Sequence, residues 1–407
     1  MARRVLLVLP TRTYRAAAFL EAARRLGVET AIASDEGSTL SYLHPERELV
    51  IDLEDPAAAA RAVAERASGW PVDAVVPVDD GAVVAAAAIA ERLGLRGSPV
   101  GAVAATRNKL ALRERIGEAR VDQMRWWLWP EGESPGPVDF PAVVKPLDQA
   151  ASRGVIRVDD RPGLLRAGQR IRRALESDPG CVGSPEGRPL LVEEFVAGPE
   201  VAVEAVLVDG ALRVFAVYDK PEPLDGPFFE ETVYTVPSEL DEGRLSQVSA
   251  TVQDATRALG LTNGSVHAEL RLGGARPYVI DLASRSIGGR CSKVLHFRSG
   301  RSLEEIVLLA ALGDDLGELE LESGARGVMM MPIPRAGTVR SVAGQREVLS
   351  RPGIDGVELS VPLGGPVVPL PEGDRYLGFI FAHGQDTRAV TAELRAAYQD
   401  LRIVIDD

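Results

Sequence analysis

The stretch HAELRLGGARPYVIDLASRSIGGR, residues 267–290, decides the fold. Its first half alternates, with His267, Glu269 and Arg271 on one face and apolar residues on the other. A Gly-Gly pair then supplies a turn, and an apolar run resumes at Tyr278. Alternation on both sides of a glycine turn predicts a β-hairpin.

Two carboxylates, Glu269 and Asp281, lie at nearly equal distances from this turn. A three-residue loop would pair them directly, whereas a four-residue loop would set them one residue out of register. Facing carboxylates repel each other, so two interpretations stay open. The hairpin is either a solvated edge, or it holds a divalent cation between the two acids.

Composition limits the class of protein. The chain has 407 residues, is 45% hydrophobic and carries a net charge of −13, which argues against a nucleic-acid partner. Its two cysteines, Cys181 and Cys291, lie far apart without a CxxC pattern, which argues against a disulfide framework or a structural zinc site. No apolar run is long enough to cross a membrane. We expect a cytoplasmic protein.

The order of elements suggests several units. Strands and helices alternate over residues 3–94 and predict a small parallel α/β layer, but no GxGxxG follows the first strand, which weakens a nicotinamide-dinucleotide function. A helix is expected over 101–119. The tryptophan- and proline-rich stretch 126–137 is interpreted as a linker, and 221–237 as a long loop.

Lysine is rare in this arginine-rich chain. The 46 basic residues include only four lysines, at positions 109, 145, 220 and 293. A retained lysine suggests a need for a compact ammonium group. Lys145 ends a predicted strand and precedes the small-residue loop Asp148–Gly154, whose backbone N–H groups could contact phosphate oxygens.

These features together resemble the ATP-grasp superfamily of carboxylate–amine or carboxylate–thiol ligases. The resemblance is carried by VVKP (143–146), LVEEFVAGPE (191–200) and the hairpin. The strings SRGVIRV, LDGPFFEET, SRSIGGRCSKVL and GVMMMPIPRAG are similar to L-amino-acid ligases and related natural-product ligases. The resemblance implies an α/β fold with an α+β body. Its parts are a Rossmann-like preATP-grasp domain (1–100), a helix and linker (101–137), a two-part ATP-grasp fold (138–202 and 203–324) and a C-terminal α/β extension (325–407).

The resemblance also implies an activity. ATP would convert a carboxylate into an acyl phosphate that an amine attacks, forming an amide or peptide bond and releasing ADP and phosphate. The cation would be Mg²⁺, with Mn²⁺ as a substitute. The partners would be a small-molecule carboxylate and an amine, with amino acids or natural-product precursors as the expected substrates, and a homodimer is compatible with the family.

Residue roles follow from the same resemblance. Lys109 and Lys145 would contact the ATP phosphates, backbone groups of Glu194 and Val196 the adenine, and Glu200 the ribose. Glu269 and Asp281 would hold the metal, and Arg285 would stabilise charge on the substrate and the transferred phosphoryl group. His267 is either a phosphate or substrate contact or a structural histidine. The further candidates are Ser152, Arg153, Gly154, Glu193 and Phe195 for ATP, Ser286, Gly288 and Gly289 for the reacting group, and Glu230 and Glu231 for a substrate ammonium.

Two positions depart from the family pattern. Asp281 stands where most members have Glu, and Ala283 stands where most have an additional Asn ligand. Asp is one methylene shorter, so the departures bear on whether one or two metal ions are held. They favour a rival hypothesis, a catalytically weak ATP-binding module with a regulatory role.

Overall fold

The computed structural model of the protein describes residues 3–37, 47–176, 188–274 and 276–407. His44, Cys181 and the rest of residues 177–187 lie outside the described residues. Within those ranges, no helix is both long and apolar enough to span a membrane.

The N-terminal layer is a four-stranded parallel sheet with the order β3-β2-β1-β4. Its strands are buried between helices and are accordingly rich in Val, Leu, Ile and Ala. This confirms the parallel α/β layer that the sequence predicts. Its elements are β1 (Arg4–Val8), α1 (Ala16–Leu26), β2 (Glu29–Ser34), β3 (Glu48–Val50), α2 (Pro56–Ala67), β4 (Ala74–Pro77) and α3 (Val83–Leu93).

The prediction of a single helix over 101–119 is wrong, because the segment forms two helices, α4 (Val100–Thr106) and α5 (Lys109–Glu118). Asn108 separates them and caps α5, since its side chain accepts the N–H groups of Leu110 and Ala111 at 3.0 and 3.1 Å. The cap makes Lys109 the first residue of α5.

The expected linker 126–137 is also partly wrong, because Trp126–Trp129 forms strand β5. It sits at the edge of a four-stranded antiparallel sheet with the order β5-β8-β6-β7. Helix α6 covers this sheet, and Gly168 of α6 leaves room for the ring of Trp129, which a Cβ at this position would overlap. The other elements are β6 (Ala142–Pro146), β7 (Ile156–Val158), α6 (Arg161–Glu176) and β8 (Leu190–Glu194).

An eight-stranded antiparallel sheet forms the body, with the order β13-β12-β9-β10-β11-β14-β18-β16. It runs through the expected boundary at residue 325, so strands on both sides of that position share one sheet. The end of the expected loop 221–237 forms β11. The elements are β9 (Glu200–Val208), β10 (Ala211–Lys220), β11 (Val233–Val236), α7 (Glu242–Leu259), β12 (Gly264–Arg271), β13 (Tyr278–Ala283), α8 (Leu303–Leu312), β14 (Ala325–Met331), β16 (Ile354–Leu359), β18 (Gly378–Gly384) and α10 (Thr387–Asp400).

The C-terminal region adds a small three-stranded sheet with the order β17-β15-β19. The C-terminal region also contacts the part of the protein that contains the antiparallel four-stranded sheet, through the loop between β6 and β7 and through α6. The N–H of Gly154 donates to the Pro371 carbonyl at 2.9 Å, and Arg170 binds both carboxylate oxygens of Glu372 at 2.6 and 2.9 Å. The elements are β15 (Gly337–Ala343), α9 (Gln345–Leu349), β17 (Pro366–Val367) and β19 (Arg402–Asp406).

Candidate active site

A cavity of about 780 Å³ lies where the four-stranded and the eight-stranded antiparallel sheets meet the N-terminal layer. Fifteen of the 19 predicted site residues line it. They are Lys109, Lys145, Ser152, Glu193, Glu194, Phe195, Val196, Glu200, Glu231, His267, Glu269, Asp281, Arg285, Gly288 and Gly289.

Four predicted site residues lie outside the cavity wall and have structural contacts instead. Arg153 donates to the Glu372 carbonyl at 3.2 Å, and the Gly154 N–H is taken by Pro371. The hydroxyl and the carbonyl of Ser286 accept from Arg15, and the Glu230 carboxyl accepts a backbone N–H from Ile333. These positions do not support the ATP, reacting-group and ammonium contacts expected of them.

The hairpin of β12 and β13 places Glu269 directly opposite Asp281. Near the turn, Arg271 pairs with Tyr278, a register that alone would leave the two acids one residue apart. An extra residue at Ile280 shifts the register and restores the direct pairing. Arg113 holds this bulge, since its guanidinium donates to the Val279 and Ile280 carbonyls at 2.7 and 2.6 Å.

The predicted alternation of β12 is confirmed. Ala268, Leu270 and Leu272 are buried in an apolar cluster that includes α7, while the intervening polar side chains line the cavity. Strand β9 alternates in the same way beside it. On the face that bears acids, Glu200 lines the cavity and Glu204 is fully buried; they pair in register with Arg271 and His267 of β12. One face of the eight-stranded sheet is therefore charged. We call this face, with Glu200, Glu204, His267, Glu269 and Arg271, the floor of the cavity.

Lys145 is buried against Glu193, with Nζ 2.6 Å from Oε2, and only 3% of the lysine is exposed. Arg113 donates to the other oxygen of Glu193 at 2.6 Å. Burial would raise the pKa of Glu193, but Arg113 and Lys145 outweigh it and lower that pKa to about 2. Burial lowers the pKa of Lys145, partly offset by Glu193. The Glu193 side chain thus positions Lys145, a role the sequence did not indicate.

Lys109 links the small-residue loop to the hairpin. Its ammonium donates to the Gln149 carbonyl at 2.5 Å and lies 4.0 Å from Oδ2 of Asp281. The two lysines predicted to contact phosphates therefore both line the cavity, and Lys109 lies beside one of the expected metal carboxylates. The Glu194 N–H donates to the Arg125 carbonyl at 2.9 Å, so that donor is already used within the protein.

A buried lysine occupies the centre of three carboxylates on the floor. Nζ of Lys220 lies 2.6 Å from Glu200, 2.6 Å from Glu231 and 3.1 Å from Glu269. Burial would lower the pKa of Lys220, but the three acids raise it well above its ordinary value. The second oxygen of Glu231 accepts from the Tyr234 hydroxyl at 2.7 Å. A substrate ammonium could bind Glu231 only by competing with these contacts.

His267 joins the floor to the turn after β13. Its Nδ1 lies 2.6 Å from Glu204, and its Nε2 lies 3.5 Å from Glu269. Burial would lower the pKa of His267, but the hydrogen bonds to Glu204 and Glu269 raise it to about 9. Glu204 also accepts the Ile287 N–H at 3.0 Å. The sequence signal for Glu204 was a lone acid inside the apolar strand VAVEAV.

Residues of the N-terminal layer hold Arg285 and the turn that follows it. Arg285 donates to Oδ2 of Asp80 at 3.0 and 2.7 Å, and Arg107 lies 3.5 Å from the other oxygen. Burial would raise the pKa of Asp80, but Arg285 and Arg107 lower it to about 2. The Tyr14 hydroxyl accepts the Gly289 N–H at 2.8 Å. The sequence could not reveal these partners, because Asp80 lies 205 residues from Arg285 and Tyr14 lies 275 residues from Gly289.

The donor set of the hairpin fits a divalent cation. Glu269 and Asp281 offer carboxylate oxygens, the ligands that Mg²⁺ prefers, and both face the cavity. The Asp281 side chain is 38% exposed, and its Oδ1 accepts only the neighbouring Leu282 N–H at 3.0 Å among the described hydrogen bonds. Glu200, Glu231 and Glu269 also lie within 4.8 Å of one another, but the Lys220 ammonium already stands between them.

Comparison with known proteins agrees with this architecture. An ATP-grasp N-terminal domain model matches residues 20–97, an ATP-grasp domain model matches 138–294, and an L-amino acid ligase C-terminal domain model matches 329–406. The chain belongs to the ATP-grasp superfamily, as the sequence resemblance predicts.

One solved structure that is similar over the whole chain is an L-amino acid ligase. An L-amino acid ligase from Bacillus licheniformis superposes with a TM-score of 0.83 at 27% identity, with both chains covered completely. Phosphoribosylglycinamide synthetase from Anaerococcus prevotii shares the fold at 14% identity and a TM-score of 0.69.

Curated relatives are also named as ligases or synthases. Alanine–anticapsin ligase of Bacillus subtilis is 27% identical over 53% of this chain and 49% of its own length. Dapdiamide A synthase of Enterobacter agglomerans is 29% identical over 46% of this chain and 44% of its own. Carnosine synthase 1 of Gallus gallus is 30% identical over 61% of this chain and 28% of its own. The chain therefore spans half or less of the length of these relatives.

Proposed function

We propose that this protein uses ATP and Mg²⁺ to join a small-molecule carboxylate to an amine, with amino acids as the substrate class. The observation that carries the proposal is the direct pairing of Glu269 with Asp281 in a cavity that also contains Lys145, Lys109 and Arg285. Two opposed carboxylates in one cavity with two lysines and an arginine suit a nucleoside triphosphate, its cation and a second anion.

The proposed chemistry proceeds in two steps. A carboxylate oxygen of one substrate attacks the γ-phosphorus of ATP, the bond from that phosphorus to the bridging oxygen breaks, and ADP leaves. The amine then attacks the acyl carbon of the acyl phosphate, and phosphate leaves with formation of the amide. The amine nitrogen loses its proton in this second step. Direct attack on a free carboxylate would be far slower, because its oxygen is a poor leaving group.

Each group in the cavity has a proposed task. Lys109 and Lys145 bind phosphate oxygens, and the Glu193 ion pair keeps Lys145 in position. Glu269 and Asp281 would hold the cation, which would neutralise phosphate charge when it is bound. Arg285 is positioned by Asp80 and stabilises the negative charge that develops on the transferred group.

The rival proposal, an ATP-binding module with a regulatory role and little catalysis, differs in one measurable property. A ligase releases ADP and phosphate only when both substrates are present, whereas a regulatory module binds ATP without turnover. Phosphate release should be measured with ATP, Mg²⁺ and pairs of amino acids, and the products identified by mass. Substrate-dependent release with a matching dipeptide mass supports the ligase. Tight ATP binding without release for any pair supports the regulatory module.

A further inference from the structure

The loop between β1 and α1, residues 9–15, forms part of the cavity wall beside the Arg285 turn. Its odd-numbered residues anchor it to the protein, and the even-numbered Arg12 and Tyr14 line the cavity. The anchoring contacts join Thr11 to Asp35 at 2.6 and 2.7 Å, Thr13 to Asp79, and Arg15 to the Ser286 carbonyl at 3.1 Å.

Arg12 differs from the other cations of the cavity. Among the described residues, every other arginine, lysine and histidine that lines the cavity has a carboxylate within 4.0 Å. These are Arg107, Lys109, Lys145, His267, Arg271, Arg285, Arg290 and Arg375. Arg12 forms no ion pair or hydrogen bond with any residue of the described ranges. Arg12 is therefore the one cation among the described lining residues that has no counterion within the described part of the chain.

Two acids that line the same cavity, Asp79 and Asp80, are paired with other groups. Asp79 is 3.8 Å from Arg15 and also accepts from Thr13, and Asp80 is shared between Arg285 and Arg107. Tyr14 binds the turn after Arg285 through the Gly289 N–H, so the loop that carries Arg12 is fixed against the reacting end of the cavity. An anionic group entering there would find Arg12 unpaired.

We propose that Arg12 binds a second carboxylate of the substrates, one that is not activated in the reaction. This inference rests on the proposed function, in which Arg285 meets the carboxylate that receives the phosphoryl group. A planar guanidinium can bind a carboxylate through two parallel N–H groups, which makes it selective for a carboxylate over an amide. The second carboxylate belongs either to the amine substrate, as in an amino acid, or to an acidic side chain of the activated substrate.

The experiment compares substrates that differ only in this charge. Phosphate release is measured with glycine against glycinamide as the amine, and with aspartate against asparagine as the activated substrate, across the common amino acids as partners. The wild-type protein should prefer the carboxylate in one of the two arms by about tenfold in kcat/KM or more, the size of one charge-assisted contact. The arm that shows the preference identifies which substrate carries the group.

Arg12→Gln should abolish this preference and leave the uncharged member of the pair almost unaffected. Arg61→Gln removes the same charge from an exposed position of α2 outside the cavity and should retain the preference. The melting shift caused by MgATP should be equal in wild type and Arg12→Gln, which shows that the fold and the nucleotide site are intact. A wild-type protein without a carboxylate preference, or a preference that survives Arg12→Gln, would overturn the proposal while the ligase function stands.

If no substrate pair releases phosphate, the ligase function fails and Arg12 is still tested by binding. Melting temperatures are then measured with a non-hydrolysable ATP analogue and each of the four probe compounds. A shift that needs the probe's carboxylate and disappears in Arg12→Gln supports the Arg12 site. Equal shifts in wild type and Arg12→Gln, or no shift with any probe, would refute it.

Discussion

Glu269 and Asp281 lie directly opposite each other on β12 and β13 because a single extra residue, Ile280, corrects the register between them. Arg113 holds both carbonyls around that residue, and the same guanidinium binds Glu193, which in turn holds Lys145. One buried arginine therefore connects the proposed metal carboxylates with a proposed phosphate-binding lysine. A substitution that disturbs the pairing of Glu269 with Asp281 is therefore expected to alter the position of Lys145, and a substitution at Lys145 is expected to alter that pairing.

Lys145→Ala should weaken ATP binding. Losing one charge-assisted contact costs about 1.5–3 kcal/mol, which corresponds to about a tenfold to hundredfold rise in Kd. Calorimetric titration with ATP and Mg²⁺ measures this. Lys293→Ala is the matched control, because that lysine is 46% exposed and lies outside the cavity wall. Equal ATP affinity in the wild-type protein and in Lys145→Ala would remove Lys145 from the nucleotide site.

Lys220→Met should leave Glu200, Glu231 and Glu269 without their shared counterion. Breaking a buried ion pair by removing one partner costs about 3–5 kcal/mol, so the melting temperature should fall clearly. Because the three carboxylates lie within 4.8 Å of one another, Mn²⁺ or Mg²⁺ should restore part of this stability without ATP. The wild-type protein should respond less to the metal alone. A Lys220→Met variant that melts at the wild-type temperature, or whose melting temperature does not rise with the metal, would contradict this description of the floor.

The Glu193 carboxylate should contribute a pH-dependent part of the stability. Its folded pKa of about 2 lies below its ordinary value of 4.5, so the contribution is fully present above pH 4.5 and is lost as the pH falls towards 2. A shift of this size corresponds to about 3 kcal/mol. Glu193→Gln should be least stable relative to wild type at neutral pH, and the difference should shrink on acidification. Urea unfolding at a series of pH values measures it, and a difference independent of pH would refute it.

Much of the site could be predicted from the sequence because it follows strand periodicity. The alternation of His267, Glu269 and Arg271 with apolar residues places the charged face, and the structure shows the same alternation. What periodicity cannot supply is the position of bulges. An Asp-Gly turn alone would pair Glu200 with Asp219, but the extra residue Phe215 in β10 moves Lys220 opposite Glu200.

The sequence likewise does not predict contacts between residues that lie far apart along the chain. Asp80 and Tyr14 reach the Arg285 turn from the N-terminal layer, and no local pattern marks them. The prolines and glycines that follow the tryptophan-rich segment predict a linker, yet Trp126–Trp129 forms an edge strand by pairing with β8. Tertiary pairing overrides the local composition in this case.

The melting temperature with ATP, with and without Mg²⁺, tests the central claim most directly. At a hundred times its Kd, a ligand bound only to the folded state stabilises it by about 2.7 kcal/mol. MgATP should therefore raise the melting temperature of the wild-type protein clearly more than ATP with a chelator. Asp281→Asn should lose the extra shift, Asp281→Glu should keep it, and Asp254→Asn, an exposed control on α7, should behave as wild type. Equal shifts with and without Mg²⁺ in the wild-type protein would show that Glu269 and Asp281 do not hold the cation.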